Sequence, residues 1–75
     1  MIRKRSVNIA GHKTSVSLEE PFWDVLKDIA ASESVPLTAL IERIDRDRAE
    51  DPDTINLSSA LRLYVLLYLR RRAGL

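Results

Sequence analysis

A strict two-residue alternation of polar and apolar side chains over residues 13–18 constrains the fold of this chain more than any other feature. The segment reads K-T-S-V-S-L. Successive side chains of a β-strand point to opposite faces, and β-branched residues favour a strand. One face would carry Thr14, Val16 and Leu18, and the other Lys13, Ser15 and Ser17. We therefore predict a strand with one face suited to a core and one suited to a polar ligand.

Helical periodicity follows the strand. Pro21 fits the first turn of a helix, Pro36 disfavours a helical conformation at the residue before it, and Asn56 is a good N-cap. Apolar residues recur every three to four positions between these signals. The predicted elements are a basic N-terminal segment over 1–12, a strand over 13–18, helix 1 over 20–32, helix 2 over 37–47, a loop over 48–55 and helix 3 over 57–72.

A lone strand leaves its backbone N–H and C=O groups unpaired, and a chain of 75 residues without cysteine has no disulfide to support a small core. We therefore expect a homodimer in which the strands of two copies pair antiparallel, giving one mainly α domain with intertwined chains. The predicted dimer core consists of Val16, Leu18, Leu26, Ile29, Leu40, Ile41, Ile44, Leu61, Tyr64 and Val65.

A second arrangement is left open by the first residues of the chain. Residues 6–9 also alternate polar and apolar side chains, and the Ala10-Gly11-His12 segment is typical of a bend. Residues 6–9 could pair with the strand over 13–18 as a hairpin, or they could trail as an arm.

The formal net charge of +1 hides a strong asymmetry. All 11 acidic residues lie between residues 14 and 54, and both ends of the chain are basic. A two-stranded ribbon fits the major groove of DNA, where Lys and Ser side chains can hydrogen-bond to base edges. We therefore predict that Lys13, Ser15 and Ser17 read bases, and that Arg3, Lys4 and Arg5 contact phosphate.

Several functional classes are not supported. His12 is the only histidine and cysteine is absent, so neither a zinc cluster nor a histidine-based catalytic site is indicated. We expect a protein that is not an enzyme and needs no metal or cofactor. The longest apolar stretch, within residues 57–69, is interrupted by Arg62 and is too short to span a membrane. We expect a cytoplasmic protein with no membrane partner.

The segment K-T-S-V-S-L-E-E-P-F-W-D-V-L-K-D-I-A, followed by S-V-P-L-T-A-L-I-E-R-I, resembles the ribbon-helix-helix family, the superfamily of the Arc and MetJ repressors. The resemblance covers about residues 13–44, and it is strongest to short bacterial members with an added C-terminal helix. It implies a dimeric, sequence-specific transcriptional repressor on double-stranded DNA. It also implies base reading by Lys13, Ser15 and Ser17, and a phosphate bound by the backbone N–H groups of Leu37 and Thr38.

Helix 3 is additional to the common two-helix pattern and supports an alternative function. Its residues 57–69 are apolar nearly all round the helix. This helix could cover the dimer core. It could instead dock a protein partner, which would make the chain an antitoxin-like or enzyme-regulating interaction module.

Overall fold

Two β-strands are followed by three helices in a computed structural model that describes residues 1–49 and 56–74. The elements are β1 (Ile2–Ile9), β2 (His12–Glu19), α1 (Glu20–Ser32), α2 (Leu37–Ala49) and α3 (Leu57–Arg72). This order confirms the predicted mainly α fold, with a two-stranded antiparallel sheet and a third helix.

The two strands form a hairpin within one chain. They pair antiparallel from Ile9 opposite His12 to Ile2 opposite Glu19. The two turn residues, Ala10 and Gly11, have φ of 52° and 85°, and positive φ at both positions is the geometry of a tight type I′ hairpin turn. The expectation that β2 needs a second copy to pair its main chain is therefore wrong. Residues 2–9, predicted as part of a basic N-terminal segment, supply the partner strand.

One face of the hairpin packs on the helices. Val7 and Ile9 of β1 and Val16 and Leu18 of β2 are buried, because alternation places all four on the same face of the paired strands. The helices complete one continuous core. Its buried members are Val7, Ile9, Val16, Leu18, Trp23, Leu26, Ile29, Ala30, Leu40, Ile41, Ile44, Leu57, Ala60, Leu61 and Val65.

The residues predicted as a dimer core lie inside a single chain. Nine of the ten are buried there with at most 4% of their surface exposed, and Tyr64 is half-buried. These residues therefore belong to the core of one chain, where β1 and α3 supply the cover that the prediction assigned to a partner. A dimer core built on them stays a prediction.

The aromatic pair at the start of α1 shows a second difference. Helical spacing predicts Phe22 on the apolar face and Trp23 beside it, but Trp23 is 1% exposed and Phe22 is half-buried. The indole Nε1 of Trp23 donates a hydrogen bond to the Arg3 carbonyl at 3.0 Å. A strand carbonyl thus satisfies the polar atom of the ring, which allows the large side chain to be buried.

The polar segment after the second helical stripe is partly helical. Helix α2 ends at Ala49, two residues beyond the predicted end, and an ion pair of 2.6 Å from Arg48 to Asp45 supports its last turn. Residues 50–55 of the predicted loop lie outside the described residues. Helix α3 begins after Asn56, whose side-chain oxygen accepts a hydrogen bond from the Ser59 N–H at 2.9 Å. No helix within residues 1–49 or 56–74 is long and apolar enough to cross a membrane.

Candidate nucleic-acid interface

The outer face of the hairpin carries a block of six hydrogen-bonding side chains, which we call the polar face. All six are exposed, and cross-strand pairing places them opposite each other in twos. The pairs are Lys4 with Ser17, Ser6 with Ser15, and Asn8 with Lys13. These six residues include two cations and no acid, and the next pair on the same side of the sheet is Ile2 with Glu19, whose carboxylate is bonded by Arg62. The polar face therefore presents donors, and the acceptors of Ser and Asn, to any ligand that meets this side of the sheet.

The acidic residues at the strand–helix junction are held by arginines. Arg62 Nε of α3 lies 3.0 Å from Glu19 Oε1, and this hydrogen bond lowers the pKa of Glu19. Glu20, the first residue of α1, lies 3.9 Å from Arg3. Their negative charges are thus partly compensated at the end of the ribbon, which reduces their repulsion of an approaching polyanion.

The basic residues of β1 do not all face the same way. Lys4 lies on the polar face, but Arg3 and Arg5 occupy the register positions of the opposite face, across from Leu18 and Val16. The Arg5 guanidinium lies 5.5 Å from the centroid of the Trp23 ring. The three predicted phosphate contacts are therefore divided between two faces of the hairpin.

The other predicted phosphate contact lies at the start of α2. Leu37 and Thr38 are its first two residues, and helix geometry leaves the first N–H groups of any helix without a partner in the same helix. Thr38 is exposed and Leu37 is half-buried. Pro36 precedes them, and its carbonyl accepts hydrogen bonds from the N–H groups of Ala39 and Leu40. The region is separate in sequence from the polar face.

The structure adds three residues to the predicted base-reading group. Lys13, Ser15 and Ser17 all lie on the polar face, and the hairpin brings Lys4, Ser6 and Asn8 beside them. The alternation of residues 6–9 was enough to predict that Ser6 and Asn8 share an exposed face, because Val7 and Ile9, which alternate with them, are buried. The pattern breaks at Arg5, an inward-facing charged residue, so sequence alone does not extend the strand to Lys4.

Comparisons with known proteins agree with this architecture. A family model described as a ribbon-helix-helix domain matches residues 2–69. The solved structure of an uncharacterized protein from Bordetella pertussis Tohama I superposes with a TM-score of 0.85 and 39% sequence identity. That match covers 99% of this chain and 60% of that one, so this chain spans less than two thirds of the length of the Bordetella protein. No curated protein gave a match. The chain belongs to the ribbon-helix-helix family, whose domains are generally DNA-binding regulators that form dimers.

Proposed function

We propose that this protein is a sequence-specific DNA-binding transcriptional regulator, acting in the cytoplasm as a repressor, and that the polar face of its hairpin enters the major groove. The observation that carries the proposal is the composition of that face: two lysines, three serines and one asparagine, with no acid. Family membership supports DNA as the ligand.

The dimensions of the polar face suit the major groove. Paired strands lie about 4.8 Å apart, and the major groove is about 12 Å wide, so a two-stranded ribbon fits between the phosphate backbones with its polar face toward the base edges. The stretch from Lys4 to Asn8 is about 14 Å long at the rise of an antiparallel strand. That length corresponds to about four stacked base pairs at 3.4 Å each.

The side chains divide into readers of different strength. Asn8 can bond both N6 and N7 of adenine, and Lys4 and Lys13 can donate to O6 and N7 of guanine. The three serines are short and can bond either purines or pyrimidines, so they would add contacts with little base preference. Asn8 and Lys13 are cross-strand neighbours, which makes this pair the expected centre of sequence discrimination.

Phosphate contacts would come from groups beside the ribbon. Arg3 is exposed on β1, beside the first residue of α1. The first N–H groups of α2, at Leu37 and Thr38, are suited to bind an anion. Repression would follow from occupation of a promoter by the bound protein, which excludes the transcription machinery sterically.

The test is selection of a binding site from genomic fragments, followed by anisotropy titrations at several salt concentrations. We expect Asn8→Ala and Lys13→Ala each to weaken binding to the selected site by about 1–3 kcal/mol, and wild-type affinity to fall steeply with salt. The matched control is Lys27→Ala, which removes an exposed lysine on α1 away from the polar face. Equal losses for Lys27→Ala and Lys13→Ala, or no preference for any fragment over random DNA, would contradict the proposal.

A further inference from the structure

The outer side of the hairpin continues past the polar face by one more cross-strand pair, Ile2 with Glu19. Because side chains alternate along each strand, this pair follows Lys4 and Ser17 on the same side of the sheet. Its chemistry differs from that of the polar face. Ile2 is apolar and has 60% of its surface exposed, and Glu19 is an acid. Attraction to phosphate explains neither side chain.

Helix α3 holds the carboxylate of Glu19. Arg62 Nε donates a hydrogen bond to Glu19 Oε1 at 3.0 Å. The Arg62 guanidinium lies 5.9 Å from the centroid of the Phe22 ring, within the range of a cation–π contact. Glu19 is the N-cap residue of α1, but its carboxylate bonds Arg62 rather than capping the helix. Arg62 therefore restricts the position of this carboxylate, and Phe22 supports Arg62.

The carboxylate remains able to accept further hydrogen bonds. The bond from Arg62 lowers the pKa of Glu19, so the group is ionised at neutral pH. An ionised carboxylate has two oxygens with about four lone-pair sites, and Arg62 Nε takes one of them. The Glu19 side chain is 37% exposed. A ligand can thus reach it, while the charge of Arg62 offsets the repulsion between Glu19 and phosphate.

Both side chains match groups that pyrimidines present in the major groove. Cytosine presents a donor, its N4 amino group, from which a carboxylate can accept. Guanine presents acceptors, which an ionised carboxylate disfavours. Thymine presents a C5 methyl group that apolar side chains contact. The Ile2–Glu19 pair is therefore suited to pyrimidines, whereas Asn8 and the two lysines of the polar face are suited to purines.

We propose that the Ile2–Glu19 pair determines specificity at the far end of the ribbon, where Glu19 accepts from N4 of cytosine, Ile2 contacts the methyl group of a neighbouring thymine, and Arg62 is the positioning residue. This inference rests on the proposed function and adds to it a base preference and a role for the third helix. Asn8 and Ile2 are about 20 Å apart at the rise of an antiparallel strand, which is the length of about six stacked base pairs. We therefore expect the cytosine about six base pairs from the adenine that Asn8 contacts.

Selection of binding sites by the wild type and by Glu19→Gln tests the base assignment. For the wild type, replacing the selected cytosine by thymine should weaken binding about 5- to 150-fold. Glutamine prefers adenine, so Glu19→Gln should change the preferred base at this position from cytosine to adenine and leave the position contacted by Asn8 unchanged. The matched control is Glu20→Gln, which removes the neighbouring acid, 3.9 Å from Arg3, and should select the same sites as the wild type.

The methyl contact of Ile2 is tested with uracil, which lacks the methyl group of thymine. Uracil in place of the thymine beside the selected cytosine should weaken wild-type binding about three- to fourfold, the effect of one buried methyl-sized group. Ile2→Ser should bind the two DNAs equally. Equal binding of the two DNAs by the wild type would overturn the methyl contact.

The role of Arg62 is tested by variants that separate charge from folding. Arg62→Gln should lower affinity several-fold and weaken the preference for cytosine, because Glu19 is then neither compensated nor held. Adding Glu19→Gln to Arg62→Gln should restore affinity without restoring that preference, which a folding defect would not do. Arg62→Lys, which keeps the charge, should recover most of the affinity. A preference for cytosine that is unchanged in Arg62→Gln would overturn the positioning role.

The selections distinguish two kinds of failure. If the wild type selects a site and Glu19→Gln selects the same site, the role of the Ile2–Glu19 pair is overturned, and the proposed function still stands on Asn8 and Lys13. An equal change of base preference in Glu20→Gln would overturn that role as well. If the wild type prefers no fragment over random DNA, both the role of the pair and the proposed function are wrong.

Discussion

At the turn of the hairpin, Ala10 has a backbone φ of 52°. A left-handed conformation costs an L-residue about 1–2 kcal/mol, and asparagine tolerates it better than alanine does. We expect Ala10→Asn to stabilise the protein by about 0.5–1 kcal/mol, because it matches the Asn-Gly pair preferred in type I′ turns. Thermal unfolding followed by circular dichroism should show a midpoint several degrees higher for a chain of this size. Ala10→Val should lower the midpoint, and a lower midpoint for Ala10→Asn would contradict this account.

Single residues also show where sequence reasoning reaches its limit. Alternation alone predicts that Val16 and Leu18 are buried and that Lys13, Ser15 and Ser17 are exposed, and the structure places all five accordingly. The position of Arg5 in a strand could not be predicted in this way, because a charged residue on the core-facing side normally argues against a strand. Its guanidinium lies over the Trp23 ring, a contact that no local pattern contains. Trp23, rather than Phe22, is the buried aromatic residue, and β1 supplies both the Arg5 guanidinium over its ring and the Arg3 carbonyl that accepts its indole N–H.

At the scale of elements, Arg43 joins all three helices. Its guanidinium donates to both carboxylate oxygens of Glu33, at 2.8 and 3.1 Å, and to the hydroxyl of Tyr64 at 3.1 Å. Glu33 caps the C-terminal end of α1, Arg43 lies on α2 and Tyr64 on α3. The hydrogen bonds from Arg43 lower the pKa of Glu33 below its ordinary value of 4.5, and the same contact raises the pKa of Arg43.

This network predicts a pH dependence of stability. Because folding lowers the pKa of Glu33, its contribution is present above pH 4.5 and is lost as the pH falls through the lowered value. We expect Glu33→Gln to reduce the free energy of unfolding at neutral pH, and the difference from wild type to shrink at acid pH. Urea titrations between neutral and acid pH measure it. Arg43→Gln combined with Glu33→Gln should cost less than the sum of the single variants, and strict additivity would show that the two side chains do not interact.

Helix positions were readable from the spacing of apolar residues, but the pairing between elements was not. Most of the apolar residues that recur at helical spacing in α1 and α2 are buried, since a helix must cover its apolar face. The buried ones are Leu26, Ile29, Ala30, Leu40, Ile41 and Ile44. The sequence pattern does not say whether the cover belongs to the same chain. Here α3 and β1 provide it, and the contact that joins α3 to the hairpin, Arg62 with Glu19, links residues 43 positions apart. Such distant contacts leave no trace in local periodicity.

For the whole molecule, the decisive point is that one chain contains its own core. The buried residues of the hairpin and the three helices form a single cluster, so association is not required to cover them. A family whose domains form dimers, and a chain of this size, both suggest a protein that folds only as it associates. The structure separates the two events, because the side chains of this core are covered within one chain.

This separation predicts how stability depends on concentration. A dimer that dissociates as it unfolds has a thermal midpoint that rises with protein concentration. Because the core of one chain is already covered, we expect the midpoint to stop falling on dilution once the chain is monomeric, and unfolding to stay one cooperative transition. Calorimetry at a series of concentrations, with the mass measured by sedimentation equilibrium at each of them, makes the comparison. If cooperative unfolding is lost where the chain is monomeric, the core of one chain is insufficient and folding depends on a second copy.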